Sequence, residues 1–175
     1  MIFISGGVRS GKSSLAEQMA QQMYAEQNAS ALYYMATTKR NHDKEMNERI
    51  KLHQASRSES WITVEEPLYI DDRINELQSH SILLIDCLTV WSSNVLFSEN
   101  AKLETMVKRV ENLVQTAKDK NIAVIFVSND LNEDIPIKDS GVQEYVFSLE
   151  AVHKCVVQLC DQAFQVIAGC PIRWK

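Results

Sequence analysis

The chain contains the segment Gly6-Gly7-Val8-Arg9-Ser10-Gly11-Lys12-Ser13, which fits the G-x-x-x-x-G-K-[ST] pattern of a phosphate-binding P-loop. Three of the five glycines in the chain lie within it. Glycine lets the backbone curl so that successive N–H groups point at phosphate oxygens, while Lys12 can reach the β- and γ-phosphates and the Ser13 hydroxyl can hold Mg²⁺. We therefore predict that all eight residues bind a nucleoside triphosphate, that Lys12 is also catalytic, and that Mg²⁺ is the cofactor.

The residues on either side of this segment support the same prediction. The apolar run Met1-Ile2-Phe3-Ile4 precedes the glycines and has the composition of a strand. The run Ser14–Met23 follows them with Leu15, Met19 and Met23 at helical spacing. Strand, loop and helix thus occur in the order that a P-loop requires.

Apolar runs separated by helical or charged segments recur along the 175 residues. The strand-like runs are Ile2–Ser5, Ala31–Met35, Trp61–Val64, Ile82–Ile85, Ile122–Val127 and Phe164–Ile167. The segment Leu103–Ala117 is the clearest later helix. Such alternation predicts an α/β fold in which helices cover both faces of a mostly parallel sheet. The length and the 45% hydrophobic content suit a single domain over residues 1–175.

The net charge of −5 gives no electrostatic reason to expect a nucleic acid or an anionic membrane as partner. No apolar stretch reaches the ~18 residues of a membrane span, and the chain opens on a core strand instead of a signal segment. We therefore expect a cytoplasmic protein with small anionic ligands. The cysteines at 87, 155, 160 and 170 form no C-x-x-C pair, so we expect neither a zinc site nor disulfides.

Asp86 ends the apolar run Ser81–Ile85 and is a second candidate site residue. A divalent ion that bridges phosphates needs hard oxygen ligands, which an acid at this place in P-loop proteins supplies directly or through water. We therefore assign Asp86, with Ser13, to the metal. The alternative is that Asp86 caps the following helix, because Asp is a favoured N-cap residue.

A third candidate is the charged segment Asp43–Arg57. As a helix it would place Arg49, His53 and Arg57 on one face, with an imidazole between two guanidinium groups. Arginine pairs with phosphate oxygens, and the flanking positive charge would lower the pKa of His53 and keep its imidazole neutral. A neutral imidazole could attack an α-phosphate and form a nucleotidyl-histidine. From spacing alone, a solvated charged helix is the competing interpretation.

Several motifs together resemble one enzyme family. They are Gly6–Ser13, Ala36-Thr37, Asp43-x-Glu45-Met46-x-x-Arg49-Ile50-x-x-His53, Arg57, Trp61-x-Thr63-x-Glu65-x-Pro67 and Asp86-Cys87-Leu88-Thr89-x-Trp91-x-x-Asn94-x-Leu96. Their order and spacing over about the first hundred residues resemble the bifunctional adenosylcobinamide kinase / adenosylcobinamide-phosphate guanylyltransferase family.

The resemblance implies a RecA-like P-loop fold, a homo-oligomer that is typically a trimer, and a role in cobalamin biosynthesis. Members phosphorylate adenosylcobinamide with GTP or ATP and then transfer GMP from GTP to the product. The guanylylated histidine of the family corresponds to His53. The same matching places a further set of residues beside the nucleotide or metal: Ala36, Thr37, Thr38, Gln54, Ala55, Ser56, Arg57, Glu65 and Asp86.

The chain departs from the family pattern after Val127. The family usually continues N-E-V-G-x-G-I-V-P and then R-x-F-R-D-x-x-G-x-x-N-Q, whereas this chain has Asn129–Pro136 without either glycine. The later motif positions hold Gln143, Tyr145, Val146, Phe147, Glu150, His153 and Lys154, and only the aromatic at Tyr145 is kept.

Three interpretations therefore remain open at this point. The chain could be the bifunctional enzyme with an altered corrinoid side. It could also be a P-loop enzyme with one of the two activities or another acceptor, or a non-enzymatic nucleotide-binding protein.

Overall fold

The structure is a computed structural model that describes residues 1–38, 60–131 and 139–175. Seven strands form one sheet in the order β3-β2-β4-β5-β1-β6-β7. Their bounds are Ile2–Gly6 (β1), Leu32–Ala36 (β2), Trp61–Glu65 (β3), Ile82–Asp86 (β4), Ala123–Val127 (β5), Gln162–Ile167 (β6) and Cys170–Arg173 (β7). Every pairing is parallel except that of β6 with β7. The predicted mostly parallel sheet is confirmed.

Five helices lie within the described residues: α1 Lys12–Glu26, α2 Ile70–Arg73, α3 Leu88–Glu99, α4 Leu103–Asp119 and α5 Ser140–Leu159. A single 3₁₀ turn, Ile74–Glu76, continues α2. The helices predicted from Ser14 and from Leu103 are both present, and the one predicted over Asp43–Arg57 lies outside the described residues. Not one of the described helices has the length and apolar composition needed to cross a bilayer.

Alternating side chains of the strands pack against helices on both faces of the sheet. Ile2 and Ile4 of β1 lie in a core with Ala16 and Ala20 of α1. Phe3 between them faces the other way, into the larger core formed with the three helices α3, α4 and α5. The period-two alternation of a strand therefore gives two cores, one on each face. The predicted α/β fold with helices on both faces is confirmed, and it is consistent with a P-loop nucleotidase fold.

The strand order places β5 between β1 and β4, so that three parallel strands end next to one another. Ligands of open α/β sheets bind at the carboxyl ends of the strands. The residues that follow β1, β4 and β5 are therefore the ones that the fold brings to a common site.

The cysteines differ in their surroundings. Cys155 of α5 and Cys160 are buried in the larger core, as small apolar residues would be. Cys170 is exposed, because it lies on β7, an edge strand whose four residues are all exposed. All four cysteines lie inside or beside apolar segments of the sequence, which predicts that each packs as a small hydrophobe, and this prediction is wrong for Cys170.

Candidate functional site

Parallel pairing places predicted site residues of three strands in one row across the sheet. Ala36 of β2 pairs with Glu65 of β3 on one side and with Asp86 of β4 on the other. Asp86 pairs in turn with Val127 of β5. Val127 pairs with Ile4, two residues before the first glycine of the P-loop. The row lies at the carboxyl edge of the sheet, where Glu65 is exposed and Asp86 is half-buried.

The segment Gly6–Ser13 joins β1 to α1 as a compact turn. Gly7 accepts hydrogen bonds through its carbonyl oxygen from the Ser10 N–H at 3.2 Å and from Lys12 Nζ at 3.1 Å. Gly11 precedes the first residue of α1 with a φ of 95°, which suits glycine because it has no Cβ. Lys12 is buried, with 9% of its surface exposed, whereas Val8 and Arg9 are exposed. The loop therefore lies at the N-terminus of α1, where helix N–H groups favour anions.

Gly6 is fixed as glycine by its surroundings. A Cβ at this position would lie 2.5 Å from the carbonyl oxygen of Val166 in β6 and 2.6 Å from Ser10 Oγ. The first of these atoms is backbone and cannot move aside cheaply. Close approach between the P-loop and β6 therefore depends on the absence of a side chain.

The turn between β6 and β7 is hydrogen-bonded to the P-loop. Gly169 donates its N–H to the carbonyl oxygen of Ser10 at 2.8 Å. Ser10 is buried, and within the described residues its Oγ has no hydrogen-bond partner. The loop thus combines a backbone that is hydrogen-bonded on two sides with a buried hydroxyl that has no partner among the described residues.

Asp86 is not the cap of the following helix. The N-cap of α3 is Cys87, and the carboxylate of Asp86 accepts a hydrogen bond from Tyr34 OH at 2.8 Å. Tyr34 lies on the neighbouring strand β2, so the sheet itself sets the orientation of the carboxylate. This arrangement leaves the capping alternative without support and agrees with a role for Asp86 at the ligand edge.

Thr37 connects the ends of β2 and β4. Its buried hydroxyl donates to the carbonyl oxygen of Cys87 at 2.8 Å and accepts from the Cys87 N–H at 2.9 Å. Its own N–H donates to the carbonyl oxygen of Asp86 at 3.2 Å, and Asn94 Nδ2 donates to its carbonyl oxygen at 2.8 Å. The hydroxyl of Thr37 is therefore engaged within the protein, while Ala36 and Thr38 on either side of it are only partly buried.

The charges of Asp86 and Lys12 both act on Cys87. Burial raises the pKa of this thiol to about 11, the Asp86 carboxylate adds to that rise, and the Lys12 ammonium opposes it. Because a thiol with such a pKa is protonated at neutral pH, Cys87 is not a nucleophile.

A chain of three polar side chains lies at the end of β5. His153 Nε2 of α5 is 2.6 Å from Ser128 Oγ, and Ser128 Oγ is 2.9 Å from Thr89 Oγ1 of α3. The His153 ring also packs on Phe3, with centroids 5.1 Å apart. Burial lowers the pKa of His153 to about 4, against the opposing effect of the Asp130 and Glu150 carboxylates. His153 is therefore neutral at physiological pH.

Tyr145 brings a second α5 side chain to the same place. Its hydroxyl donates to the carbonyl oxygen of Thr89 at 2.8 Å, and burial raises its pKa to about 12. The ring lies 6.0 Å from that of Phe97, centroid to centroid. The one aromatic that α5 shares with the family pattern therefore anchors the start of α3.

The residues of this hydrogen-bond chain are not evident from the sequence. The polar composition of Asn129–Ser140 predicts an exposed loop, yet Asn129, Asp130 and Leu131 are half-buried, and residues 132–138 lie outside the described part. One signal was available: Ser128 directly follows the apolar run of β5. Its partners, Thr89 and His153, are 39 and 25 residues away, and no local sequence pattern indicates that they contact Ser128.

The predicted nucleophile is not among the described residues. His53, its flanking Arg49 and the predicted nucleotide contacts Gln54, Ala55, Ser56 and Arg57 all lie in the range 39–59. Their assignment stays a prediction. The described residues supply the P-loop, Ala36–Thr38, Glu65 and Asp86, all at one edge of the sheet.

A family model for cobinamide kinase / cobinamide phosphate guanyltransferase matches residues 2–174. The chain belongs to this family. It is also 31% identical, over 98% of its length and 95% of the relative's, to the bifunctional adenosylcobalamin biosynthesis protein CobP of Pseudomonas aeruginosa. The bifunctional adenosylcobalamin biosynthesis protein CobU is 24% identical in Escherichia coli and 26% identical in Salmonella typhimurium, over the whole chain and 99% of each relative.

The match to the cobinamide kinase / guanyltransferase family extends beyond the motifs that first suggested it. Those motifs ended near residue 100, whereas the family model includes α4, β5, α5 and the final hairpin. The altered segment after Val127 is therefore a variation inside the family fold. The suspected membership is confirmed.

Proposed function

We propose that this chain phosphorylates adenosylcobinamide and then transfers GMP from GTP to adenosylcobinamide phosphate, through a guanylyl-His53 intermediate, in assembly of the nucleotide loop of cobalamin. The observation that carries the proposal is the meeting of the P-loop and Asp86 at one sheet edge, in a chain that matches this family over residues 2–174. We further propose that it acts in the cytoplasm on small-molecule corrinoid and nucleotide substrates.

The P-loop supplies the groups that bind a triphosphate. Its N–H groups and the N-terminus of α1 favour the phosphate oxygens, and the buried Lys12 ammonium adds a full charge beside them. Such a site acts through positioning and charge stabilisation, which are the main contributions that a protein makes to phosphoryl transfer.

The residues present fit Mg²⁺ as the cofactor. Within residues 1–38, 60–131 and 139–175, no three His, Cys, Asp or Glu side chains form a cluster that would hold a metal by itself. Mg²⁺ does not need one, because it is commonly bound by one or two protein oxygens together with substrate phosphates and water. The Ser13 hydroxyl and the Asp86 carboxylate, oriented by Tyr34, would hold it. When bound, Mg²⁺ offsets the charge of the phosphates.

The proposed transfer of GMP has two balanced steps. A ring nitrogen of His53 bonds to the α-phosphorus of GTP while the bond from that phosphorus to the bridging oxygen breaks, and pyrophosphate leaves. A phosphate oxygen of the corrinoid then bonds to the same phosphorus as the nitrogen–phosphorus bond breaks, which frees His53. Phosphorylation of the corrinoid hydroxyl precedes these steps and does not involve His53.

Labelling with GTP radioactive at the α-phosphate tests the proposal. Wild-type protein incubated with Mg²⁺ and this GTP should form an acid-labile, alkali-stable adduct, and His53→Ala should form none while still phosphorylating adenosylcobinamide. His80→Asn is a matched histidine control, because His80 lies at the amino end of β4 and contacts Asn121. It should label like wild type. Equal loss of both activities in folded His53→Ala protein would contradict the division of labour.

A second candidate function follows from α5. Two of its motif positions, the retained aromatic Tyr145 and the altered His153, make internal hydrogen bonds, so these polar groups are engaged within the protein. This favours a guanylyltransferase that uses another phosphorylated acceptor. Labelled enzyme that releases its GMP to pyrophosphate but not to adenosylcobinamide phosphate would support the second candidate over the first.

We also propose that the chain forms a homo-oligomer, with the trimer as the form that the resemblance implies. Two large exposed side chains support an interface: Phe97 on α3 is 60% exposed and Phe147 on α5 is 64% exposed. Exposed apolar groups of this size mark interaction surfaces. Size-exclusion chromatography with light scattering measures the assembly directly.

A further inference from the structure

The segment Ser128–Asp130 at the end of β5 connects the two halves of the candidate site. Asp130 donates its N–H to the carbonyl oxygen of Gly6 at 3.1 Å, so the segment is bonded to the start of the P-loop. Asn129 donates its N–H to Thr89 Oγ1 at 2.7 Å, in the first turn of α3, the helix that follows Asp86. The same segment is therefore hydrogen-bonded both to the start of the phosphate-binding loop and to the helix that follows the carboxylate.

His153 supports this segment from the helix side. Its Nε2 lies 2.6 Å from Ser128 Oγ, which in turn lies 2.9 Å from Thr89 Oγ1. Thr89 Oγ1 is the atom that accepts from Asn129 N–H. Ser128 is fully buried and Thr89 nearly so, and His153 packs on Phe3 of β1. The imidazole thus holds one end of a continuous hydrogen-bond chain that ends on the site backbone.

We infer that His153 is a positioning residue: through Ser128 and Thr89 it fixes the Asn129–Asp130 backbone that joins the P-loop to the Asp86 turn. The inference adds a residue on α5 to the proposed site, and its kinetic consequence rests on the proposed function. His153 contacts Ser128 and Phe3, not the P-loop. It acts by keeping the Ser128 hydroxyl, and with it the tip of β5, in one place.

The hydrogen bonds between His153, Ser128 and Thr89 explain why loss of the histidine should move the backbone. A buried hydroxyl that loses its partner must reorient or admit water, and either change moves the backbone bonded to it. Displacements of about 1 Å remote from the chemistry can reduce a rate by about a hundredfold. The nucleotide affinity should change less than the rate, because the P-loop N–H groups and Lys12 are not removed.

Two substitutions at position 153 test the inference. His153→Phe keeps an aromatic ring against Phe3 but removes the nitrogen that faces Ser128. His153→Gln places a polar amide near the former Nε2 position and should restore the hydrogen bond to Ser128. Ser81→Ala is the matched control, because Ser81 is also buried and its hydroxyl donates to Gln78 at 2.7 Å, but at the opposite edge of the sheet. It removes one buried hydrogen bond without touching the site.

Two measurements are made on each variant. Guanylyl transfer and kinase assays give kcat and KM, and hydrogen exchange reports the Asn129 and Asp130 N–H groups. We expect His153→Phe to reduce kcat by about tenfold with KM for GTP within about twofold, and to speed exchange of both N–H groups by about tenfold. His153→Gln should restore most of the wild-type kcat and most of the slow exchange. Ser81→Ala should lower the melting temperature but change neither kcat nor the exchange of these two N–H groups.

The outcomes separate this inference from the proposed function. Unchanged exchange at Asn129 and Asp130 in folded His153→Phe protein would overturn the inference whatever the activity. Faster exchange with unchanged kcat would overturn it as well, because the residue would then be structural only. If wild-type protein has neither activity, the proposed function fails, and the exchange of these two N–H groups still decides whether His153 fixes the backbone.

Discussion

The P-loop and the end of β5 lie side by side at one sheet edge but are built differently. The P-loop is held by backbone groups: Gly7 and Ser10 accept hydrogen bonds through their carbonyl oxygens, and Gly6 permits close approach to β6. The end of β5 is held by side chains, with Ser128 bonded to Thr89 and His153. One region depends on the absence of side chains and the other on their chemistry.

This difference determines which amino-acid substitutions each region tolerates. A backbone-built loop can be made from few sequences, because each glycine removes a clash or permits an unusual φ. A row of hydrogen-bonded side chains can be formed by other polar residues that reach the same atoms. In this sequence the motif expected from the resemblance is complete at Gly6–Ser13 and altered on α5.

Removing the charge of the backbone-built region should have the largest effect. We expect Lys12→Ala to reduce both activities by about a hundredfold or more, because it deletes a buried ammonium that would face the phosphates. Its fold should persist, since the loop is fixed by backbone hydrogen bonds. Lys154→Ala, an exposed lysine on α5, is the control and should leave both activities unchanged. Steady-state kinetics with adenosylcobinamide and GTP measure the difference.

A pair of glycine substitutions tests the backbone itself. Gly6→Ala would press a Cβ to 2.5 Å from a backbone oxygen, so we expect the free energy of unfolding to fall by about 3 kcal/mol. At Gly169, with φ of 83°, an added Cβ meets nothing within 4 Å, so only local strain of about 1 kcal/mol opposes it. Urea denaturation gives both values.

The order of these two values decides the interpretation. Equal destabilisation by both substitutions would show that backbone conformation, and not the approach of β6, requires glycine at Gly6. A small effect at Gly6 alone would show that the P-loop and β6 separate easily, contrary to the close contact in the structure.

The sequence predicted the parts of the molecule that depend on local pattern. The apolar runs located all but the last strand of the sheet, and the glycine spacing located the loop between β1 and α1. Asp86 was placed correctly at a strand end, because parallel strands end at a common edge. Such features follow from periodicity and from residue types at short spacing.

Contacts between distant residues could not be predicted in the same way. Thr37 was expected beside the nucleotide as a motif residue, and its hydroxyl is bonded to Cys87, 50 residues away. The position of His153 in a mixed helical segment predicts a structural or solvated side chain, and the structure places it against Ser128 near the site. A hydrogen bond across 25 or more residues leaves no local pattern, since any polar residue could serve at either end.

The side-chain region should respond to pH, which the backbone region cannot do. His153 has its pKa lowered to about 4 by burial, against an ordinary value near 6.5 in the unfolded chain. Between these values the unfolded chain binds a proton that the folded protein does not. The contribution of His153 is therefore fully present above about pH 6.5 and is lost as the pH falls towards 4. We expect a loss of about 2 kcal/mol between pH 7 and pH 5.

Denaturation of wild type and His153→Phe at several pH values measures this contribution. The variant starts less stable at pH 7, because Ser128 has lost its partner, but its curve should lack the acid-side decline due to His153. The two curves should therefore approach each other as the pH falls. The Asp130 and Glu150 carboxylates favour the protonated form of the His153 ring. If the two stability curves instead stay parallel as the pH falls, the effect of these carboxylates on the pKa of His153 must cancel the effect of burial. The pKa of His153 would then stay near the ordinary value of about 6.5, and the folded and unfolded chains would bind a proton at His153 over the same pH range.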